Sequence, residues 1–291
     1  MCGAPAQNHS VLGRRLNTRQ GLRPQKKIGI ATTIMKCDRC GLVFANPTPV
    51  PKSIEQHYGV PPETYWKAEY FAPDPEYLHG VLNCFESVYG KRIKGAGLQA
   101  LDVGAGIGKA MIALSNAGFL TKGIEPSEPF YRKALEITGI PADRLNLEAV
   151  EDAEFEIGTF DFINMAAVAE HFYDPASAIA KASRWLKPGG LIHIEVPSSK
   201  YMMSRLARYF YKLTGSDYVV NTCPMHAPYH LYEFTLESFR HHGKANDYRV
   251  AHYDYYVCES YMPRLVKPLF NALMKATNTG MQLAAWLKGN N

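Results

Sequence analysis

The sequence predicts an α/β domain whose core is a mostly parallel sheet with helices on both faces. Three observations support this fold class. Short apolar segments alternate with helical stretches, and a glycine-rich loop follows the first predicted strand. The segment Phe160–Met165 is apolar along most of its length, which is typical of a parallel strand that is buried on both faces.

The elements follow in order along the middle of the chain. Glycines at 118 and 139 and the turn at Lys187–Gly190 end the helices. The predicted strands are Leu98–Val103, Leu120–Glu125, Leu145–Val150, Phe160–Met165 and Leu191–Val196, and the helices between them are Lys109–Ala117, Pro129–Thr138 and Ala176–Leu186. Further along, the predicted helices are Tyr201–Leu213, Thr235–Lys244 and Met262–Ala276, and the strands are Tyr248–Cys258 and Met281–Leu287.

The N-terminal part of the chain has a different composition. Residues 1–50 are polar, and two proline-rich segments that indicate a linker lie at Asn46–Pro51 and Val60–Pro62. We therefore divide the chain into a Cys-containing segment with its linker, residues 1–62, and a larger domain, residues 63–291. The aromatic-rich residues 63–95 indicate one or two helices that lead into the domain.

Composition excludes several classes of protein. The 291 residues are 46% apolar, and the formal net charge of +5 is spread along the chain, so nucleic acid is not expected as a partner. Six cysteines in a chain of this size do not indicate a disulfide framework. Neither a secretory signal nor a membrane-spanning apolar run is visible. We therefore expect a cytoplasmic protein.

The glycine-rich loop is the strongest indication of chemistry. The run from Leu101 to Lys109 has glycines at alternate positions 104, 106 and 108, and it ends at the start of a helix. Glu125 closes the next strand about 20 residues on, where an acid can bind ribose hydroxyls. Dinucleotides and S-adenosylmethionine both suit this plan. The dinucleotide fingerprint requires a glycine at position 109, and Lys109 occupies it.

Five motifs then resemble, in order and spacing, those of class I S-adenosylmethionine-dependent methyltransferases. These motifs are Leu101–Gly108, Gly123–Ser127, Phe160–Ile163, Ala169–Pro175 and Leu186–Gly190. The resemblance implies a Rossmann-like seven-stranded sheet whose last strands run antiparallel. It also implies S-adenosylmethionine as cofactor and methyl transfer to an acceptor.

The resemblance implies particular cofactor contacts. Asp102 would fix the loop and the cofactor's amino group, and Glu125 would hold the ribose. The further cofactor-binding positions are Gly104, Ala105, Gly106, Pro126, Val150, Glu151 and Met165. The family usually has an Asp where this chain has Ala149, so adenine contact would fall to backbone groups or to Glu151. Simpler roles remain open: Asp102 as a cap of the loop, Glu125 as a surface acid and Met165 as a core residue.

A second, narrower resemblance concerns the N-terminal segment. Cys37–Pro47 resembles the end of a zinc-ribbon segment that precedes some bacterial methyltransferases, including deoxysugar C-methyltransferases. The candidate zinc ligands are Cys2, Cys37 and Cys40, with a histidine such as His9 as the fourth. Structural zinc sites are almost always four-coordinate, and the first cysteine pair of the ribbon is incomplete. The sequence therefore favours a ribbon that no longer binds zinc.

The same group of methyltransferases implies a location for acceptor chemistry. His171 and His230 match positions at which histidines serve the acceptor, and Tyr229 is a candidate to orient the second of them. An acceptor O–H or C–H must lose its proton, and histidine suits that task near neutral pH. Two alternatives remain: His171 shapes only the end of the strand, or proximity alone suffices for an intrinsically good nucleophile.

Two helical insertions, at about 199–230 and 260–279, bear on the acceptor and on partners. Both contain basic amphipathic helices, which can pack on the domain, form a homodimer face, cover a lipid-linked acceptor or contact a membrane peripherally. We expect a methyltransferase for a small molecule, such as a sugar or secondary-metabolite intermediate. The alternatives are a non-catalytic cofactor-binding protein on the same fold and, disfavoured by Lys109, a nicotinamide-dependent oxidoreductase.

Overall fold

The computed structural model describes residues 1–17, 30–48, 61–65, 68–72, 74, 76–94, 96–220, 230–257 and 265–290. The strands in these ranges are β1 (His9–Asn17), β2 (Ile30–Cys37), β3 (Val43–Asn46), β4 (Gln99–Val103), β5 (Leu120–Ile124), β6 (Leu145–Asn146), β7 (Phe160–Ala166), β8 (Leu186–Pro197), β9 (Tyr232–Glu233), β10 (Tyr248–Tyr256) and β11 (Gln282–Gly289). The helices longer than one turn are α1 (His79–Tyr89), α2 (Lys109–Ala117), α3 (Glu128–Thr138), α4 (Pro175–Trp185), α5 (Met202–Leu213), α6 (Leu236–Ala245) and α7 (Lys267–Ala276). Short helical turns lie at Ala6–Asn8, Pro62–Tyr65, Ala68–Phe71 and Ala169–His171.

The central sheet has seven strands in the order β10-β11-β8-β7-β4-β5-β6. Strands β4 to β8 of this sheet pair in parallel, and β11 pairs antiparallel with both β8 and β10. This confirms the predicted fold class. The strand order reverses at β4, because β5 lies on one side of it and β7 on the other. The loop after β4 therefore opens at a topological switch point, where open α/β sheets bind ligands.

Alternating side chains of the central strands build a core on each face of the sheet. Leu101 and Ile163 point to the face that α4 covers through Ile179. Their neighbours Ala100 and Phe162 point to the opposite face, against residues of α1 and β11. The near-continuous apolarity of β7 is explained by this burial on both faces.

A second sheet, which the sequence analysis did not predict, lies in the N-terminal segment. Its four strands have the order β1-β2-β3-β9, so its last strand comes from residues 232–233. The segment also enters the main core through Cys37, Cys40 and Leu42. The Thr235 hydroxyl, which caps α6, donates a hydrogen bond to the carbonyl of Cys40. The sheet is thus tied directly to the larger domain.

Most predicted elements occur within one or two residues of their expected bounds, and Lys109–Ala117 is confirmed without change. Two boundaries were wrong. The strand expected to reach Val150 ends at Asn146, because residues 149–153 form a hydrogen-bonded turn. The strand expected to begin at Leu191 begins at Leu186. The predicted turn Lys187–Gly190 therefore lies inside β8, where the pairing with β7 is irregular. The ends of the predictions Tyr248–Cys258 and Met262–Ala276 fall partly outside the described residues.

The aromatic core on the α1 face of the sheet contributes strongly to the stability of the fold. Phe162 is fully buried and contacts the rings of Phe85, Phe119 and Trp286. We expect Phe162→Ala to lower the free energy of unfolding by about 3–5 kcal/mol, because it leaves a cavity that rigid aromatic neighbours fill poorly. Urea denaturation measures this change. Ile157→Ala, at a side chain that is 81% exposed, is the control and should change stability by less than about 0.5 kcal/mol.

Candidate active site

The glycine loop after β4 is held in a conformation that requires glycine. Gly104 and Gly106 have φ angles of +70° and +56°, in the left-handed region. A Cβ atom on Gly104 would lie 2.3 Å from a methyl carbon of Val168, so the loop has no space for one. The Gly104 and Ala105 N–H groups both donate to the carbonyl oxygen of Ile124, at 2.9 and 3.0 Å. The loop is thereby tied to the end of β5.

Glu125 lies beside this loop with both carboxyl oxygens engaged. Its Oε2 accepts a hydrogen bond from Gly106 N–H at 2.7 Å, and its Oε1 accepts one from Ser127 N–H at 2.8 Å. The side chain is buried, and this burial raises its pKa to about 7 against the opposing effect of the two N–H donors. Each oxygen keeps a further lone pair for a ligand hydroxyl.

Asp102 is the second buried carboxyl group, and a polar chain behind it sets its position. Its Oδ1 accepts a hydrogen bond from Asn164 Nδ2 at 2.8 Å, and Asn164 Oδ1 lies 2.8 Å from Nδ1 of His193. Burial lowers the pKa of His193 to about 4, so the neutral ring donates its Nδ1 proton to Asn164. Asn164 and His193 belong to no sequence motif, so sequence patterns gave neither residue a role.

The other oxygen of Asp102, Oδ2, is buried and has no hydrogen-bond partner in the described part of the chain. Burial raises the pKa of Asp102 to about 7. An unpartnered acceptor of this kind indicates a missing ligand donor, because leaving such a group unsatisfied is costly.

These residues fit S-adenosylmethionine. Its ammonium group and ribose hydroxyls are donors, and the site offers them acceptors at Asp102 and Glu125. A pyrophosphate would need free N–H donors instead. Those of Gly104, Ala105, Gly106 and Gly108 already bind protein oxygens. The electrostatics of the loop therefore favour a cationic nucleoside over a dinucleotide.

Two tyrosines of the segment before α1 lie near the same site. Nζ of Lys109 donates to the Tyr70 carbonyl at 3.1 Å and lies over the rings of Tyr70 and Tyr77, at 4.8 and 4.9 Å from their centroids. Burial raises the pKa of both tyrosines, and the charge of Asp102 adds to this shift. Lys109, which argued against a dinucleotide in the sequence, thus holds two tyrosines close to Asp102.

The structure brings His171 and His230 together, and their role toward an acceptor stays a prediction. Their ring centroids are 4.7 Å apart and the rings are nearly perpendicular. The Leu231 N–H donates to the Glu170 carbonyl at 2.7 Å, which joins the two segments. Tyr229, the third candidate, lies outside the described residues.

A buried carboxyl group completes this cluster. One ligating atom each from Glu170, His171 and His230 lies within 4.8 Å of the others, so the three can also hold a divalent metal ion. Glu170 is 1% exposed, and its Oε2 has no hydrogen-bond partner among the described residues. Burial raises its pKa to about 8, and the charge of Glu195 adds to the shift. The sequence pattern that indicates His171 gives no role to Glu170 or Glu195.

The remaining cofactor-binding candidates have diverse surroundings. Pro126 is half-buried and Glu151 is exposed, with its carbonyl bound to Lys181 Nζ at 2.9 Å. Val150 and Met165 lie in the main core, and Met165 is fully buried. Their contacts with the adenine or methionine parts of the cofactor stay predictions.

The three thiol candidates for zinc also converge. The sulfur atoms of Cys2, Cys37 and Cys40 lie within 4.8 Å of one another, and those of Cys2 and Cys37 are 3.5 Å apart. Burial raises the pKa of Cys40 to about 12. His9 is not in this group, and its ring packs against Phe44. The cluster thus offers three of the four ligands that a structural zinc ion requires, and zinc binding itself stays untested.

Comparison with known proteins agrees with this site. Residues 77–253 match the family described as "Methyltransferase domain". The Ubiquinone biosynthesis O-methyltransferases of Methylococcus capsulatus and Thiobacillus denitrificans are each 31% identical to this chain over 132 and 133 residues. These alignments cover 44% of this chain and 54% and 55% of the relatives, so the chain spans about half the length of the curated relatives it matches.

Solved structures share the fold. A methyltransferase bound to the Trm112 methyltransferase activator of Haloferax volcanii aligns with a TM-score of 0.52, covering 84% of this chain and 100% of that one. An S-adenosylmethionine-dependent methyltransferase from Mesorhizobium loti aligns with a TM-score of 0.51, covering 75% and 99%. Both are 14% identical in sequence, so they show the fold alone.

The switch-point loop, the two buried carboxyl groups and the sheet topology are those expected of a class I S-adenosylmethionine-dependent methyltransferase domain. The matched range exceeds half of the chain, and this protein belongs to the methyltransferase-domain family.

Asp102 gives this assignment a direct test. We expect Asp102→Asn to weaken S-adenosylmethionine binding about 10-fold to 100-fold, because a charge-assisted hydrogen bond is lost. In the native protein the affinity should rise about tenfold from pH 6 to pH 8, since an acid with a pKa near 7 ionises over that range and only the anion attracts the ammonium group. Calorimetric titration measures both effects.

Asp152→Asn, at an exposed acid, is the matched control and should bind as tightly as the native protein. An Asp102→Asn variant with native affinity at both pH values would show that Asp102 only caps the loop.

Proposed function

We propose that this methyltransferase acts on a small acceptor with an ionisable O–H or C–H group, and that His171 or His230 removes the proton. The observation that carries the proposal is the contact between these two histidines beside the buried Glu170. The relatives that match 44% of this chain are named O-methyltransferases, which favours a hydroxyl oxygen as the methyl acceptor.

The chain's residues divide the work of methyl transfer. Asp102 and Glu125 bind and orient the cofactor, and S-adenosylmethionine supplies an electrophilic methyl group when it is bound. One of the two histidines accepts the acceptor's proton as the nucleophile forms. A positive charge on the imidazole favours ionisation of the nearby Glu170 carboxyl group, and the carboxylate then offsets that charge.

Tyr77 and Glu195 add polar groups to the proposed acceptor region. The two groups interact electrostatically, and Glu195 also binds the Tyr256 side chain. Half-buried hydroxyl and carboxyl groups suit an acceptor with several polar substituents, such as a sugar or an oxygenated secondary metabolite. The N-terminal resemblance to deoxysugar C-methyltransferases supports the sugar, and the O-methyltransferase relatives support an aromatic hydroxyl.

The histidines are tested by their alanine variants. We expect one of the two variants, His171→Ala or His230→Ala, to lower kcat about 100-fold or more. That variant lacks the general base. Release of S-adenosylhomocysteine is followed at saturating cofactor, with nucleotide-linked sugars and catechols as acceptors. The affinity for S-adenosylmethionine should stay within about twofold, because neither histidine belongs to the glycine loop.

His252→Ala, at an exposed histidine on β10, is the control and should retain native kcat. If both site variants keep native kcat with an acceptor that the native enzyme methylates, the base role is wrong and proximity alone accounts for turnover.

A further inference from the structure

An apolar stripe faces solvent along α5. Leu206, Tyr209, Phe210 and Leu213 recur at helical spacing and are 48%, 58%, 62% and 88% exposed. In a helix that packs on its own domain, this stripe would face the core. Here it faces outward, and no α5 residue is fully buried.

A second stripe lies on and just before α7. Leu265, Leu269 and Leu273 recur every four residues and are 96%, 70% and 45% exposed. Only Met274 of this helix is buried. Two separate insertions thus expose apolar side chains in an ordered row, which single exposed residues on a surface do not explain.

The start of α5 and the residues just after α7 meet at one edge of the sheet. The N–H of Met202, the first residue of α5, donates to the Thr279 carbonyl at 3.1 Å, just after α7 ends. Ser198 N–H donates to the Met281 carbonyl at 2.9 Å. The carboxyl end of β8 lies at this edge of the sheet. The glycine loop and His171 follow the carboxyl ends of neighbouring parallel strands, and His230 contacts His171, so all three lie at the same edge.

The charges beside the stripes have one sign. Neither α5 nor α7 contains an Asp or Glu, and Arg205, Lys212 and Lys275 are exposed. None of these three forms an ion pair with another described residue. Arg208 differs, because it interacts with the buried Glu233.

We propose that the surface formed by the α5 and α7 stripes and their exposed basic residues docks on an anionic lipid bilayer. The leucine and aromatic side chains would enter the interface while the basic side chains bind lipid phosphates. Of the helices in the described ranges, none has the length and hydropathy to cross a bilayer, so both helices would lie in its plane. A second copy of the chain suits the surface less well, because it would bring positive charges against positive charges.

Vesicle co-sedimentation tests this proposal without any acceptor, so its result is independent of the proposed function. The full chain is mixed with vesicles of phosphatidylcholine alone or of phosphatidylcholine with added anionic phosphatidylglycerol. We expect pelleting with the anionic vesicles at least about tenfold above that with neutral ones, and a clear loss at high salt.

Two variants separate the apolar and charged contributions. Phe210→Ser with Leu213→Ser and Leu269→Ser should reduce pelleting to background, and Arg205→Gln with Lys212→Gln and Lys275→Gln should reduce it about tenfold or more. Ile157→Ser removes an apolar side chain that is 81% exposed elsewhere, and it should bind like the native chain. Thermal melting confirms that each variant is folded.

Equal pelleting with both vesicle types, or native binding by the serine variant, would overturn the proposal. A dimer in light scattering that the serine variant converts to monomer would also overturn it and assign the surface to a second copy. A monomer that binds anionic vesicles through these residues supports it.

Discussion

The cofactor site depends on two carboxyl groups that the fold buries without a positive partner among the described residues. Asp102 and Glu125 end adjacent parallel strands, so the sheet itself sets their separation. Burial raises the pKa of each to about 7. This arrangement is unfavourable in the free protein, since desolvation opposes ionisation. A ligand that supplies positive charge and hydroxyl donors removes the penalty, and methyl sulfonium nucleosides do both.

The rest of the structure keeps these two groups in place. Asn164 and His193 on β7 and β8 brace Asp102 from behind, and backbone N–H groups brace Glu125 from the loop. The tyrosines that Lys109 holds lie near the same site. Preorganisation of this kind lets a ligand bind without reordering its site. The same edge of the sheet carries the histidine pair, so the glycine loop and the two histidines share one rigid support.

Sequence patterns predicted the parts of the molecule that depend on local periodicity and spacing. The β4 loop, Glu125 and helix Lys109–Ala117 follow from glycine placement and from alternating apolar segments. The N-terminal sheet did not follow, because its fourth strand is only two residues long and comes from a distant part of the chain. Asn164 and His193 were equally hidden: each lies inside a strand, and only the strand register brings them together.

The histidine pair is a second case in which sequence motifs identify residues but do not reveal their contacts. His171 belongs to a motif and His230 to another, and neither motif indicated that Glu170 lies close to both of them in space. The outward-facing stripes of α5 and α7 were visible as amphipathic patterns, but only the structure shows that their apolar sides face solvent. Periodicity identifies a face, and tertiary packing decides what covers it.

The central claim is that cofactor binding ionises carboxyl groups that are partly protonated in the free protein. Calorimetry of S-adenosylhomocysteine binding at pH 7, in buffers with different ionisation enthalpies, counts the protons exchanged. We expect release of about half a proton or more per ligand bound, because each acid has a pKa near 7 in the free protein. A binding enthalpy that is the same in every buffer, with no proton released, would contradict the account.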